Sequence, residues 1–308
     1  MVITLTFFIF GFFILVKSAN FLIKESSIIA RYLGVPSLVI GILVLGIGTS
    51  IPEFAVTFFS NIVGQNEIGL GTIIGSNIFN FLFILGLCVL FYPLYFKKEW
   101  INRDLVWGAA AVFAVILVAL NGIITRFEGL FLLILCIIWI ITIARNHNEK
   151  LEYETTTSTL LITFLLSIAG LLGVLFGSYF VVNGAVAIAT NFGVSEIFVG
   201  LIIVGIGTSL PEIIVSLTAA KNREYGMAIG NVIGSNIFDF LGIIGVSALA
   251  IPMYFDKKII VELFIAMATV GIVAFLVLAN KQYRLGRLHG VLLLSIFVLY
   301  FIFVVLRG

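Results

Sequence analysis

Two short segments carry the residues that could do chemistry in this chain, and each ends in a glutamate: GIGTSIPE at 46–53 and GIGTSLPE at 205–212. In the first segment, Thr49 and Glu53 are four residues apart and therefore lie on one face of a helix. Pro52 has no amide hydrogen and its ring clashes with the carbonyl four residues back, so we expect the helix to break there. Carbonyl oxygens freed by such a break are hard ligands for a cation.

The second segment repeats this arrangement. Pro211 is expected to break its helix in the same way, which would bring Thr208, Ser209 and Glu212 opposite the first set. A broken helix at membrane depth is tolerated only where it is buried in protein or lines a wet cavity. We therefore expect the two breaks to face one another inside the molecule.

A second pair of nearly identical segments, IGSNIFNFL at 74–82 and IGSNIFDFL at 233–241, adds polar side chains at the same depth. Each segment holds two polar residues with four-residue spacing, which places them on one helical face. The resulting collection of carboxylates, a carboxamide, hydroxyls and carbonyls suits Ca²⁺ or Na⁺ and disfavours Zn²⁺ or copper. These pairs are Ser76 with Asn80, and Ser235 with Asp239.

The elements that position these residues are predicted to be membrane-spanning helices. Of 308 residues, 62% are hydrophobic and 10% charged, and the mean hydropathy is +1.26. A spanning helix needs about 20 predominantly apolar residues. Ten stretches of suitable length and composition lie at roughly 2–23, 37–62, 69–92, 104–122, 127–144, 159–183, 197–220, 228–251, 259–280 and 289–306. A carboxylate at the bilayer centre costs at least about 2.5–3.5 kcal/mol, so a bound cation is the expected counter-charge for the glutamates in these spans.

The chain repeats itself with an offset of 159 residues, which relates Gly34 to Gly193 and Gly71 to Gly230. Each copy holds five spans, an odd number, so the second copy must enter the membrane from the opposite side. The sequence therefore predicts an all-α membrane protein built from two inverted repeats, with the second and seventh helices broken. The predicted parts are a first five-helix repeat over 1–145, a cytoplasmic linker over 146–158 and a second, inverted repeat over 159–308.

Charge distribution predicts the orientation and excludes several functions. Most of the 17 Lys and Arg residues fall in loops that follow odd-numbered spans, so those loops are expected in the cytoplasm and both termini outside a cell membrane. The net charge of +2 with dispersed basic residues does not predict a nucleic-acid partner. The bilayer is the expected surrounding, and no protein partner is evident. His147 and His289 fall in or beside cytoplasmic loops, far from Ser50 or Ser209, so we do not expect an intramembrane hydrolase. No cofactor is expected.

The two GTSxPE segments and the two GSNIFN/D segments resemble the α-repeats of the cation/Ca²⁺ exchanger superfamily, specifically its prokaryotic, ten-helix Na⁺/Ca²⁺ branch. The resemblance implies a Ca²⁺ site formed by Glu53 and Glu212 with the backbone carbonyls of Thr49 and Thr208. It also implies that the first and sixth helices slide across the others. The implied Na⁺ sites use Ser50, Ser235 and the Gly46 carbonyl on one side and Ser209, Ser76 and the Gly205 carbonyl on the other, with Asn80 and Asp239 lining the centre.

The predicted function is secondary antiport of Na⁺ against Ca²⁺ by alternating access at an acidic site near the midplane. Three buried carboxylates could also take protons, so an H⁺/Ca²⁺ exchanger stays open. An aspartate at position 239 is compatible with K⁺ co-transport, so a K⁺-dependent Na⁺/Ca²⁺ exchanger stays open as well. A passive cation channel is a more distant alternative.

Overall fold

The computed structural model describes residues 2–62, 64, 66–145, 160–191, 205–256 and 258–307. Within these residues the chain forms twelve helical segments and four very short strands. Four of the helical segments contain a π-helical turn, in which the hydrogen bonds are one residue longer than in an α-helix. The helices are α1 Val2–Leu33, α2 Ser37–Thr49, α3 Ile51–Ile62, α4 Asn66–Phe91, α5 Lys98–Ala119, α6 Arg126–Arg145, α7 Leu160–Asn191, α8 Gly205–Thr208, α9 Leu210–Lys221, α10 Tyr225–Ala250, α11 Lys258–Leu278 and α12 Arg287–Arg307.

Eight of the described helices are long and apolar enough to cross a membrane. A ninth span is formed if α2 and α3, which meet at an angle of 44°, are counted together. The predicted class, a helical membrane protein, is confirmed. The predicted total of ten spans stays a prediction, because residues 197–204 at the start of the seventh span lie outside the described residues, as does the linker 146–158.

Two helices form the centre of the molecule. In an 18-residue apolar stretch of each helix, 78% of the residues are buried in α4 and 83% in α10, against 11% in α12. Because α4 and α10 contain the two GSNIF segments, the polar residues of those segments are surrounded by protein, and α12 presents most of its surface to the outside.

The helices α1 and α7 pack tightly against each other in antiparallel directions. A Cβ added at Gly170 would lie 3.0 Å from the Cα of Leu22, and one added at Gly177 would lie 2.6 Å from the backbone nitrogen of Leu15. Only glycine allows two backbones to approach this closely. The pair therefore depends on close backbone packing along its length.

The prediction that the first span ends at residue 23 is wrong, because α1 continues to Leu33. The hydropathy pattern stops at Lys24, yet the following polar residues are buried by other helices. Ser26 Oγ lies 3.1 Å from Ser167 Oγ, and Ser27 Oγ donates to Glu224 Oε1 at 2.9 Å. These hydrogen bonds satisfy the polar groups, so the helix continues beyond its apolar stretch.

Two small antiparallel sheets join loops that are far apart in sequence. Strand β1, Leu94–Tyr95, pairs with β4, Arg284–Leu285, and strand β2, Ile123–Ile124, pairs with β3, Met253–Tyr254. The membrane-spanning helix α5 lies between β1 and β2 in the chain, so the two sheets lie at opposite ends of the helices.

Candidate functional site

The helices α2 and α3 meet at a break at Ser50, as Pro52 predicts. Ser50 has φ −76° and ψ 5°, outside the helical region, and α3 begins one residue later. Glu53 therefore lies in the first turn of α3. Unpaired amide groups make the start of a helix partially positive, so a carboxylate is favoured there.

The second segment has the same geometry. Ser209, with φ −89° and ψ 9°, separates α8 from α9, and Glu212 lies in the first turn of α9. Gly205 and Thr208 are the two ends of α8, so chain continuity places them directly before this break. Both glutamates are therefore presented by helix starts that follow a break in the chain.

The two breaks approach each other inside the molecule. Ser209 Oγ donates a hydrogen bond to Glu53 Oε1 at 3.3 Å, although 156 residues separate them. Glu53 and Glu212 are each only 1% exposed. The carboxylate of the first segment therefore lies against the break of the second, as the sequence predicts.

The GSNIF segments of α4 and α10 also meet. Asp239 Oδ2 accepts hydrogen bonds from Asn77 Nδ2 at 3.0 Å and from Ser76 Oγ at 3.4 Å. Asn80 Nδ2 donates to Asn236 Oδ1 at 2.8 Å. Each of these bonds joins one half of the chain to the other.

Asn80 and Asp239 occupy the first position of equivalent π-helical turns, Asn80–Ile84 and Asp239–Ile243. Such turns are often found at functional sites, because the extra residue redirects the side chains around it. Both side chains are 1% exposed and face the interior. The structure therefore brings the predicted central pair to corresponding places in the two helices.

Ser235 and Gly46, which the resemblance assigns to the same Na⁺ site, are in contact. Ser235 Oγ lies 3.2 Å from the Gly46 carbonyl oxygen and 2.7 Å from the Asn231 carbonyl oxygen, and its single hydrogen can be donated to either. A Cβ added at Gly46 would come within 2.8 Å of the Ser235 nitrogen, so α2 and α10 pack with their backbones close together. The matching contact between Ser76 and Gly205 stays a prediction, because the described bonds of Ser76 go to Ile73 and Asp239.

A group of buried oxygen atoms at this place has no hydrogen-bond partner among the described residues. Buried polar atoms are normally paired, and an unpaired carboxylate away from water is especially costly. Apart from the Ser50 hydroxyl, these atoms only accept hydrogen bonds, and a bound cation would satisfy such a group. The atoms are Ser50 Oγ, Glu53 Oε2, Asn77 Oδ1, Asn80 Oδ1, both Oε atoms of Glu212 and Asp239 Oδ1.

Carboxylates alone would not complete a metal site here. In the described part of the chain, no three acidic, histidine or cysteine side chains lie close enough together to hold a metal ion. An ion would therefore also need hydroxyl, carboxamide and carbonyl oxygens, which Ca²⁺ and Na⁺ accept readily.

Sequence reasoning missed Asn231, which is fully buried beside the site. Its side chain contacts Thr49, Glu212 and Ser216. Comparison of the two repeats points away from this residue, because the equivalent position is Thr72. The available signal was an asparagine within an apolar span, where a polar side chain is expensive and therefore usually has a role.

The fold and the buried oxygen atoms define a helical, multi-pass membrane protein with a polar interior. The sequence model of the sodium/calcium exchanger protein family matches residues 3–145 and 162–306. The chain therefore belongs to the sodium/calcium exchanger family, and the predicted branch is confirmed.

Relatives match over nearly the full length. The inner membrane protein YrbG of Escherichia coli is 31% identical over 312 residues, which cover 97% of this chain and 96% of the relative. The sodium/calcium exchanger MaX1 of Methanosarcina acetivorans is 27% identical over 353 residues, covering 97% and 98%. A solved structure of the sodium-calcium exchanger NCX_Mj, soaked with Na⁺ and Sr²⁺, superposes with a TM-score of 0.86 at 31% identity and 98% coverage of both chains.

Proposed function

We propose that this chain exchanges Na⁺ for Ca²⁺ across the cell membrane at one buried site between its two halves. The observation that carries the proposal is the group of partnerless buried oxygens around Glu53, Glu212 and Asp239. Membership of the sodium/calcium exchanger family supports the choice of ions. The activity is transport and requires no chemical step and no cofactor.

The proposed architecture has ten spans in two inverted halves, residues 1–145 and 159–308, joined by the linker 146–158. Support comes from the sheets: the offset of 159 residues relates β1 to β3, yet these strands belong to different sheets. The 22 residues of α5 extend about 33 Å, enough to separate the two sheets by the thickness of a membrane. If the second half is inverted relative to the first, strands related by the repeat, such as β1 and β3, must lie at opposite ends of the helices.

In the proposed site, Glu53 and Glu212 bind Ca²⁺ together with the backbone carbonyls of Thr49 and Thr208. Equivalent Na⁺ sites flank it on either side, and Asn80 and Asp239 line the centre. Supporting contacts are the bond from Ser209 to Glu53 and that from Ser235 to the Gly46 carbonyl. The proposed flanking ligands are Ser50, Ser235 and Gly46 in one Na⁺ site, and Ser209, Ser76 and Gly205 in the other.

Antiport follows from competition. Na⁺ and Ca²⁺ use overlapping ligands, so the site holds one kind of ion at a time. Binding of one ion from one side of the membrane therefore displaces the other ion, which entered from the opposite side. Alternating access then exposes the loaded site to the two sides in turn. If more than two Na⁺ move per Ca²⁺, each net charge couples about 2.3 kcal/mol per 100 mV of membrane potential.

The test is Ca²⁺ uptake into proteoliposomes loaded with Na⁺. Wild type should take up Ca²⁺ when an outward Na⁺ gradient is imposed, and Glu53→Gln and Glu212→Gln should each reduce the rate at least about 100-fold, because a charged ligand is lost. Glu67→Gln is the matched control, since Glu67 is exposed and binds only the Asp256 amide, at 3.0 Å, among the described residues. Near-normal uptake in both site variants would reject the assignment.

The same preparation separates the remaining alternatives. A pH gradient that replaces the Na⁺ gradient would sustain uptake only in an H⁺/Ca²⁺ exchanger, and removal of K⁺ would stop uptake only in a K⁺-dependent one. Ion movement that needs no counter-ion would identify a channel. We expect uptake with Na⁺ alone and none of these behaviours.

A further inference from the structure

Asn231 is not one of the proposed ion ligands, yet its side chain forms hydrogen bonds to residues among and beside them. Its side chain is fully buried in α10, one helical turn before Ser235. Its Oδ1 lies 3.2 Å from Thr49 Oγ1, whose single hydrogen is shared between this oxygen and the Leu45 carbonyl at 3.0 Å. Its Nδ2 donates to Ser216 Oγ at 2.8 Å and to the Glu212 carbonyl oxygen at 3.3 Å. A carboxamide has two donor hydrogens and one acceptor oxygen, and all are used here.

These partners belong to two different broken helices. Thr49 is the last residue of α2 before the first break, whereas Glu212 and Ser216 lie in the first two turns of α9 after the second break. One carboxamide therefore joins the two chain segments that present the proposed Ca²⁺ ligands. Asn231 itself is separated from Thr49 by 182 residues.

The backbone around Asn231 is held in place by close packing. A Cβ added at Gly230 would lie 3.0 Å from the Gly41 Cα, and one added at Gly234 would lie 2.8 Å from the Ile42 Cα. The α10 backbone therefore rests directly on α2 on both sides of Asn231. This contact fixes the distance across which the carboxamide reaches Thr49.

The first half has no equivalent connection among the described residues. The position related to Asn231 is Thr72, which is only partly buried, and its Oγ1 donates to the Ile68 carbonyl of its own helix at 2.8 Å. That bond stays within α4 and does not reach another helix. Thr72 is therefore a natural internal control for Asn231.

We propose that Asn231 is a positioning residue that holds the ends of α2 and α9 at the separation that Ca²⁺ binding requires. This inference rests on the proposed function. Asn231 supplies no ligand atom in our proposal; it acts through the Thr49 hydroxyl and the Glu212 backbone. Residues that orient metal ligands in this way typically change metal affinity by about 10- to 100-fold when they are replaced.

The experiment measures the initial rate of Na⁺-driven Ca²⁺ uptake against Ca²⁺ concentration in proteoliposomes. For Asn231→Ala we expect the KM for Ca²⁺ to rise at least about 10-fold while the maximal rate changes less than about threefold. A merely less stable protein would show the opposite pattern, because loss of folded molecules lowers the maximal rate and leaves KM unchanged. Thr72→Val should match wild type in both quantities.

A double-mutant cycle tests whether Asn231 changes the KM for Ca²⁺ through its contact with Thr49. Thr49→Val removes the hydroxyl, with its contacts to Asn231 and to the Leu45 carbonyl, but keeps the backbone carbonyl that we propose as a ligand. Because both substitutions break the same contact, the KM increases of Asn231→Ala and Thr49→Val should not multiply in the double variant. Fully multiplicative increases would contradict action through Thr49.

A second variant covers the case in which Asn231→Ala does not fold. Ser216→Ala leaves Asn231 intact and removes its 2.8 Å bond, so we expect a KM increase of about threefold in the same direction. If the foldable variants at positions 231 and 216 keep the wild-type KM, the inference is wrong. Absence of Na⁺-driven uptake in wild type would instead refute the proposed function, so the two failures are distinguishable.

Discussion

The two halves of the molecule carry the same glutamates but surround them differently. Glu53 Oε1 accepts a hydrogen bond from Ser209, whereas neither carboxylate oxygen of Glu212 has a hydrogen-bond partner among the described residues. On the central helices, the second half has Asp239 and Asn231 where the first has Asn80 and Thr72. Duplication thus accounts for the two helix breaks, and substitutions on α4 and α10 account for the difference in polarity.

Positions that the repeat makes equivalent, such as Asn80 and Asp239, therefore differ in the polar groups that they bring to the centre. The first half contributes one buried carboxylate to the centre, and the second contributes two together with the carboxamide of Asn231. Two of the three buried carboxyl groups at the centre therefore belong to the second half. Substitutions that make the two halves more alike test how much this difference in buried polar groups affects stability.

The largest effect on stability is expected from a change of charge at the central pair. Asn80→Asp adds a further buried carboxylate and replaces the amide group that donates to Asn236 at 2.8 Å. In a medium without Ca²⁺ and Na⁺ we expect it to lower the free energy of unfolding by about 3 kcal/mol, because the added charge has no partner. The measurement is thermal unfolding in detergent with a chelator.

Asp239→Asn is the reciprocal variant, and it should shift the unfolding temperature in the opposite direction. It removes one buried carboxylate, and an amide oxygen can still accept the hydrogen bond from Asn77. Shifts of the same sign in both variants would show that charge does not govern the difference between the halves.

An intermediate effect is expected where α10 of the second half packs on α2 of the first. Gly234→Ala would place a methyl group 2.8 Å from the Ile42 Cα, so one helix must move. Overpacking of this kind should cost about 2 kcal/mol in the free energy of unfolding. Chemical denaturation in detergent would measure it.

Gly271→Ala in α11 is the matched control for that substitution. Apart from the nearby backbone of its own helix, no described atom lies within 4 Å of its added Cβ, so we expect a change below about 0.5 kcal/mol. Equal losses in the two variants would mean that the close contact between α10 and α2 has no special importance.

The smallest effect is expected at two helix starts related by the repeat. At α6, the Glu128 carboxylate accepts from the Thr125 backbone at 2.7 Å, whereas at α12 His289 Nδ1 accepts from the Gly286 backbone at 3.0 Å. Glu128→Ala should cost about 1 kcal/mol, because a charged cap is lost.

His289→Ala should cost about 0.5 kcal/mol, since it removes a single bond between neutral groups. Unfolding temperatures of both variants would be compared in the same detergent. A larger loss for His289→Ala would reverse the expected order of the two caps and contradict our account of the two helix starts.

Much of the site could be predicted from sequence because its determinants are local. Pro52 and Pro211 break their helices through a missing amide hydrogen, which depends on no distant residue. The four-residue spacing of Ser76 and Asn80 likewise places them on one face of any helix. The meeting of Glu53 with Ser209 followed from the repeat, which indicated that the two segments face each other.

The remaining features depend on contacts between distant parts of the chain. The end of α1 at Leu33 was missed because burial against Ser167 and Glu224, rather than hydropathy, allows its polar residues to stay helical. The contacts of Asn231 were missed because its partners lie on α2 and α9.

Sequence alone therefore determined the helical membrane class, the two helix breaks and the acidic residues beside them. The reason is that apolar run length and proline geometry act within a single helix. Only the tertiary structure decided which oxygens remain without partners and which side chain joins the two breaks. Hydrogen bonds across 182 residues of sequence, such as that from Thr49 to Asn231, exist only once the helices have packed.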